Sequence, residues 1–191
     1  MKKSLGPNTF ALPLPAFLVG SYDENGNPNL MTAAWGGILS SEPATVGVSI
    51  RPTRWTFDGI TLNKSFTVNI PHVGLVTEVD FCGLVSGKQH DKFKEASLTP
   101  VESSLVKAPY VDECLLVLEC KTHKTLELGS HVLFVGQILN VLADESILDE
   151  SGVIQSLKAN PLVYGTDAAY FKLGAEVEKA FSCGKKLLRN S

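Results

Sequence analysis

Long hydrophobic runs are missing from this 191-residue chain. No stretch approaches the ~20 apolar residues that a membrane-crossing helix needs. Lys2 and Lys3 are followed by LGPNTFALPLP rather than by the apolar centre of a secretory leader, so a cytoplasmic protein without a membrane role is expected. Charge is also scarce: Asp, Glu, Lys and Arg make up 19% of residues, below the usual quarter, and the net charge is −3. Without a basic excess, or a basic stripe interleaved with aromatics, nothing draws the chain to nucleic acid. Low charge hints instead at apolar surface covered by a subunit.

Cysteine is limited to Cys82, Cys114, Cys120 and Cys183, with no CxxC pair and no zinc-ligand spacing. Cys114 and Cys120 fall on one expected strand, too far apart to pair, and reduced thiols are the simplest account. Cys82 lies in an apolar helical context, which favours a buried structural thiol over a redox one. His72, His90, His123 and His131 are scattered without the i,i+4 pairing of a zinc helix, and no nucleophile elbow accompanies them. There is no GxGxxG after the first strand and there are too few helices for a doubly wound fold. No internal repeat is present.

What the chain does have is a succession of β-prone runs divided by turn signals. The length fits one domain. Strands are expected at Ala16–Tyr22, at Asn29–Ser40 (with Gly36–Gly37 inside it), at Ala44–Ile50 and at Phe66–Ile70. DENGNPN, with Asn25–Gly26, marks the first hairpin turn. A helix of about three turns is expected over Thr53–Lys64, capped by Thr53 or Thr56, and a second over His72–Cys82 with Gly83 as its C-cap. A short helix around Asp91–Lys94 follows. In the second half, Glu113–Lys121 is a strand, Thr122–Lys124 a turn, and Thr125–Leu128 turns through Gly129–Ser130 into His131–Ala143, where Gly136 marks a bulge or a bend. Val153–Ala159 reads as one or two helical turns, and Leu162–Tyr164 and Ala169–Lys172 as short strands. Many strands with inserted helices argue for a closed β-barrel, which also removes exposed sheet edges.

Two places carry chemistry. Arg51, Thr53, Arg54 and Thr56 put two guanidiniums and two hydroxyls within six residues, between an apolar strand and a helix start. Planar donor forks, hydroxyls and helix amides suit a phosphate, although a solvated basic turn has the same composition. Ahead of them, Thr32–Ser40 is small and polar, as a backbone must be for a flat ligand to lie against it, with Trp35 as a wall. Together they read as a holder for a phosphorylated aromatic cofactor. DFCGLVSGKQHDKF, from Asp80 to Phe93, is a second glycine-rich polar cluster.

The fragments NLMTAAWGG, SSEPATVGVSIRPTRWT, SFTVNIP, DFCGLVSGKQHDKF, APYVDECLLVLECK, LGSHVLFVGQI and PLVYGTDAAYFKLG, in this order from about Leu12 to Gly174, resemble the flavin reductase-like family and its flavoredoxin-like branch. The resemblance implies a mainly β FMN-binding split β-barrel of Greek-key type with short inserted helices. It implies a homodimer with one FMN per subunit near the dimer boundary. Carried onto this chain, Met31, Thr32, Ala33, Ala34 and Trp35 would line the isoalloxazine. Ser49, Ile50 and Arg51 would lie beside the ring and ribityl chain, and Arg54 with Thr56 would hold the phosphate. Ser86, Gly87 and Lys92 match the SG…DKF element near the cofactor, and His131 and Tyr164 match positions that face or cover the pocket. The implied activity is an FMN-dependent oxidoreductase that takes electrons from NAD(P)H or a ferredoxin-like donor; the alternative is a non-catalytic flavin-binding or storage protein. No acid, base or covalent nucleophile is assigned, because the electron chemistry belongs to the flavin.

Overall fold

In the computed structural model, which describes residues 1–190, the β-prone runs pair into one long curled sheet with two small ones beside it. The strands are β1 (Leu14–Pro15), β2 (Phe17–Tyr22), β3 (Pro28–Ala33), β4 (Gly36–Ser41) and β5 (Ala44–Ile50). Helix α1 (Trp55–Asn63) leads to β6 (Ser65–Ile70), then α2 (Val76–Leu84) and α3 (Lys92–Glu95). The second half comprises β7 (Pro100–Glu102), β8 (Pro109–Val111), β9 (Leu116–Leu128), β10 (His131–Ala143), α4 (Ser156–Ala159), β11 (Leu162–Tyr164) and β12 (Tyr170–Lys172).

The main sheet has seven strands in the order β3-β2-β6-β9-β10-β5-β4. Its two edges, β3 and β4, are consecutive in sequence and joined only by Ala34 and Trp35. A chain advances at most ~3.6 Å per residue, so three steps from Ala33 to Gly36 cannot cross a flat sheet of seven strands spaced ~4.8 Å apart. The sheet must therefore curl until its edges lie side by side. They remain unladdered, so the closed barrel read from the strands alone gives way to the split barrel that the family resemblance implies, open along a seam between β3 and β4.

The same link corrects the single strand expected over Asn29–Ser40. The break falls at Ala34–Trp35, just before the glycines, and Gly36 lies in β4 where a Cβ would sit 2.7 Å from the Gly47 carbonyl oxygen. The turn expected at Thr122–Lys124 is likewise absent. Strand β9 runs through it, and the register against β10 steps from Lys124↔Val135 to Thr122↔Gly136, leaving His123 as the extra residue of a bulge. Gly136 sits at that bulge as expected, and a Cβ there would lie 2.5 Å from Phe66 Cζ. Cys114 precedes β9 rather than sharing it with Cys120. Gly83 lies inside α2, which continues to Leu84 with Val85 as its C-cap.

Successive strand residues point to opposite faces, and here both faces are covered. Val19, Met31, Val48, Phe66 and Phe134 fill the barrel interior. Their neighbours Leu18, Leu30 and Val117 pack outward with Val79 and Cys82 of α2 and Phe93 of α3. Among the described residues, no helix is long and apolar enough to cross a membrane.

Candidate functional site

The seam of the barrel is where the expected ligand-facing residues converge. The end of β3, the link and the loop after β5 line an open cleft of about 140 Å³, with Met31, Thr32, Ala33, Ala34, Trp35, Ser49, Arg51, Arg54 and His131 around it. The geometry follows from pairing. Ala33 is held opposite Phe17 on one side of the seam, and on the other the Ser49 amide donates to the Trp35 carbonyl oxygen at 2.8 Å. Thr32 donates its hydroxyl to the Val79 carbonyl, tying the cleft floor to α2. His131, the first residue of β10, places its ring 4.5 Å from the Trp35 indole at 41°, and its Nδ1 lies 2.9 Å from Ser130 Oγ. Burial and the nearby Arg51 guanidinium both hold its imidazole below the ordinary value.

Arg51 and Arg54 are exposed, and neither takes part in an ion pair among the described residues. Arg54 is the N-cap of α1 but no side chain caps that helix. The caps expected from Thr53 or Thr56 are thus corrected: Thr56 lies in the first turn, 1% exposed, and its hydroxyl accepts from Asn29 Nδ2 at 2.8 Å. Two unpaired guanidiniums beside an uncapped helix start form a donor set without an acceptor, which fits an anion.

The remaining expected residues lie off the cleft wall. Ile50 is fully buried beneath it in the barrel interior. Ser86 is exposed and its hydroxyl accepts from the Lys88 amide at 3.3 Å. Gly87 packs directly against Asn29 and Trp55, and the three help line a neighbouring polar pocket of about 270 Å³. Lys92 is 4% exposed, and its ammonium donates to the Leu30 and Cys82 carbonyls at 2.8 and 2.7 Å. Burial brings its pKa down to about 8, with Arg54 adding repulsion, and the nearby Cys82 opposing the shift. Tyr164 pairs with Tyr170 at 5.6 Å on the outer cluster, where the Tyr170 hydroxyl donates to Asp80 Oδ1 at 3.0 Å. Cys82 is fully buried and its thiol is pushed up to about 11 by burial, so it is a structural thiol.

One residue at this site carried no signal in the sequence. Asn29 closes the DENGNPN turn signal and opens the expected strand, and in β3 its side chain is 5% exposed. Neighbouring Leu30 and Met31 are both buried too, so no alternation of apolar and polar residues marks which way it points.

Residues 9–174 match the family described as flavin reductase like domain. The chain belongs to that family. An uncharacterized protein of Archaeoglobus fulgidus is 39% identical over 140 residues, covering 73% of this chain and 78% of that one. Among solved structures, the flavoredoxin of Desulfovibrio vulgaris (Miyazaki F) is 41% identical with a TM-score of 0.92, covering 96% of this chain and 100% of that one. Flavoredoxin from Methanosarcina acetivorans is 34% identical with a TM-score of 0.91, covering 98% and 99%. Membership of that family supports a flavin cofactor and a flavin-related oxidoreductase function. The residues fit such a cofactor. A strand end of small residues offers a flat face, Trp35 and His131 offer a wall, and the unpaired arginines offer an anion anchor.

Proposed function

We propose that this chain holds FMN at the seam and relays electrons through it, from NAD(P)H or a ferredoxin-like protein to an acceptor, a reading supported by its similarity to two flavoredoxins. The observation that carries the reading is the pairing of a flat cleft wall with two guanidiniums that have no carboxylate partner among the described residues. Met31 to Ala34 line the ring, and Ser49 lies across the cleft from them. Arg51 and Arg54, with the α1 amides, take the terminal phosphate. Thr56, Ser86, Gly87 and Lys92 act around that end of the ligand, and Tyr164 lies farther out. When bound, the flavin supplies the hydride and single-electron chemistry. The chain's own residues bind, orient and shield. A terminal phosphate on a short ribityl arm suits FMN better than FAD.

The chain acts as a homodimer in this reading. Trp35, Ile38 and Leu39 are 40%, 67% and 51% exposed beside the seam, and they edge an apolar groove of about 500 Å³ with Phe10. A second copy lying there would shield the flavin edge from water. Light scattering at micromolar concentration gives a dimer mass if so, and a monomer with full flavin affinity removes this part of the proposal.

The deciding experiment uses protein as purified. Absorbance and mass of the released ligand identify FMN, and rapid mixing with NADH or NADPH shows whether the bound flavin bleaches directly. A protein that is colourless and takes up no added FMN overturns the proposal. Flavin that bleaches with neither nucleotide directs the search to a protein donor, and flavin that exchanges freely without reduction supports a storage role instead.

A further inference from the structure

We propose that Asn29 is a positioning residue that sets the phosphate end of the flavin cleft, acting through Thr56 on one side and Gly87 on the other. The proposal rests on the phosphate reading above. Asn29 Nδ2 donates to Thr56 Oγ1, and Thr56 lies two residues after Arg54, the N-cap of α1. Asn29 Oδ1 has no hydrogen-bond partner among the described residues and lies directly under Gly87. A Cβ on residue 87 would overlap Oδ1 and would lie 2.9 Å from Trp55 Cδ1. The 85–91 segment can close down on Asn29 only because residue 87 has no side chain. That segment leads directly into Asp91, which caps α3, and Lys92.

Helix α1 is anchored in the barrel interior by Ile60 and Phe57, and its orientation is refined by polar contacts along the face turned to β2. Gly59 packs against the Tyr22 carbonyl and Ser21 Oγ, and Asn63 Nδ2 donates to the Tyr22 carbonyl oxygen at 2.9 Å. Apolar contacts tolerate small slides, whereas a hydrogen bond weakens steeply once its distance and angle depart from the optimum. The Asn29–Thr56 bond therefore fixes the direction of the helix start, and with it Arg54 and the first amides of α1. Asparagine is depleted in strands, and a buried unpaired oxygen is destabilising. Its presence in β3 is a cost to the fold that positioning explains.

The test titrates apoprotein with FMN and with riboflavin, which shares the ring and ribityl chain but lacks the phosphate, by flavin fluorescence. Wild type, Asn29→Leu, the milder Asn29→Ser and Gly87→Ala are compared, with thermal unfolding run alongside. The expected result is a rise in the FMN dissociation constant of roughly tenfold or more in each variant, with riboflavin nearly unchanged. A purely structural role would weaken both ligands together. If Asn29→Leu fails to fold, Asn29→Ser and Gly87→Ala carry the comparison. Folded variants that keep the wild-type ratio of the two constants overturn the positioning role alone. A wild type that binds FMN and riboflavin equally overturns the phosphate reading, and this proposal with it.

Discussion

Ser49 donates its amide to the carbonyl oxygen of Trp35 at 2.8 Å, and this bond extends the β4–β5 ladder one residue toward the seam. Two residues earlier, Ala33 is already committed to Phe17 on the opposite edge of the sheet. The chain is thus clamped to both edges within three residues, leaving Ala34 as the single unladdered step. The cleft wall is held by backbone pairing, so its shape depends little on the side chains that line it.

The phosphate anchor is separable from the fold. Arg54 is exposed and leaves no cavity when truncated. A hydrogen bond to a charged group is worth about 1.5–3 kcal/mol, so Arg54→Ala is expected to raise the FMN dissociation constant roughly ten- to a hundredfold. Riboflavin affinity should scarcely move. Equal losses for the two flavins would show that Arg54 supports the pocket structurally, and no loss would shift the anchor to Arg51.

Gly136→Val is expected to destabilise the barrel without touching the cleft. The added side chain meets Phe66 in the core, where overpacking costs about 1–3 kcal/mol. Urea unfolding should show a lower midpoint with an unchanged slope. A midpoint equal to wild type would mean that the β9–β10 bulge can relax.

Lys92 makes stability pH-dependent with a definite sign. Its folded pKa, about 8, lies below the ordinary lysine value, so the unfolded chain binds more protons between the two. Its contribution is least favourable below pH 8 and improves as pH rises through the window toward 10.4. Relative to Lys92→Met, the wild type should gain stability between pH 7.5 and about 9.5. A flat difference over that range would place the ammonium in a more hydrated setting than the two carbonyls imply.

His131 should titrate below free histidine in apoprotein, since burial and Arg51 both oppose its charge. An anion at the arginines offsets that repulsion, so FMN, and not riboflavin, should move the value upward. Proton NMR of the imidazole against pH reads both states. A value above the ordinary one in apoprotein would contradict the geometry.

Much of this was legible in the sequence. The hydroxyl and guanidinium cluster at Arg51–Thr56, the small residues after Met31, and the bulge at Gly136 each declare themselves through residue type. The strand break at Ala34–Trp35 does not, because the glycines at 36 and 37 are the louder local signal while the break is imposed by pairing to strands distant in sequence. Thr56 looks like a helix cap until Asn29, arriving from β3, takes its hydroxyl. The polar residues Thr122–Lys124 suggest a turn, yet a bulge absorbs them because β10 is long enough to pair straight through. Both faces of β2, β3 and the Val117–Cys120 stretch of β9 are buried, so periodicity could not say which side chains face the cavity.

The two-residue link gives the barrel a gauge. Its aperture is set by a count of peptide units, a quantity that side-chain substitution leaves alone. One added residue between Ala33 and Gly36 would allow the edges to part by up to ~3.6 Å, about the thickness of an aromatic ring. Length at this point, more than identity, therefore governs how thick a molecule the opening admits, and a single-residue insertion would recalibrate it while leaving every strand in register.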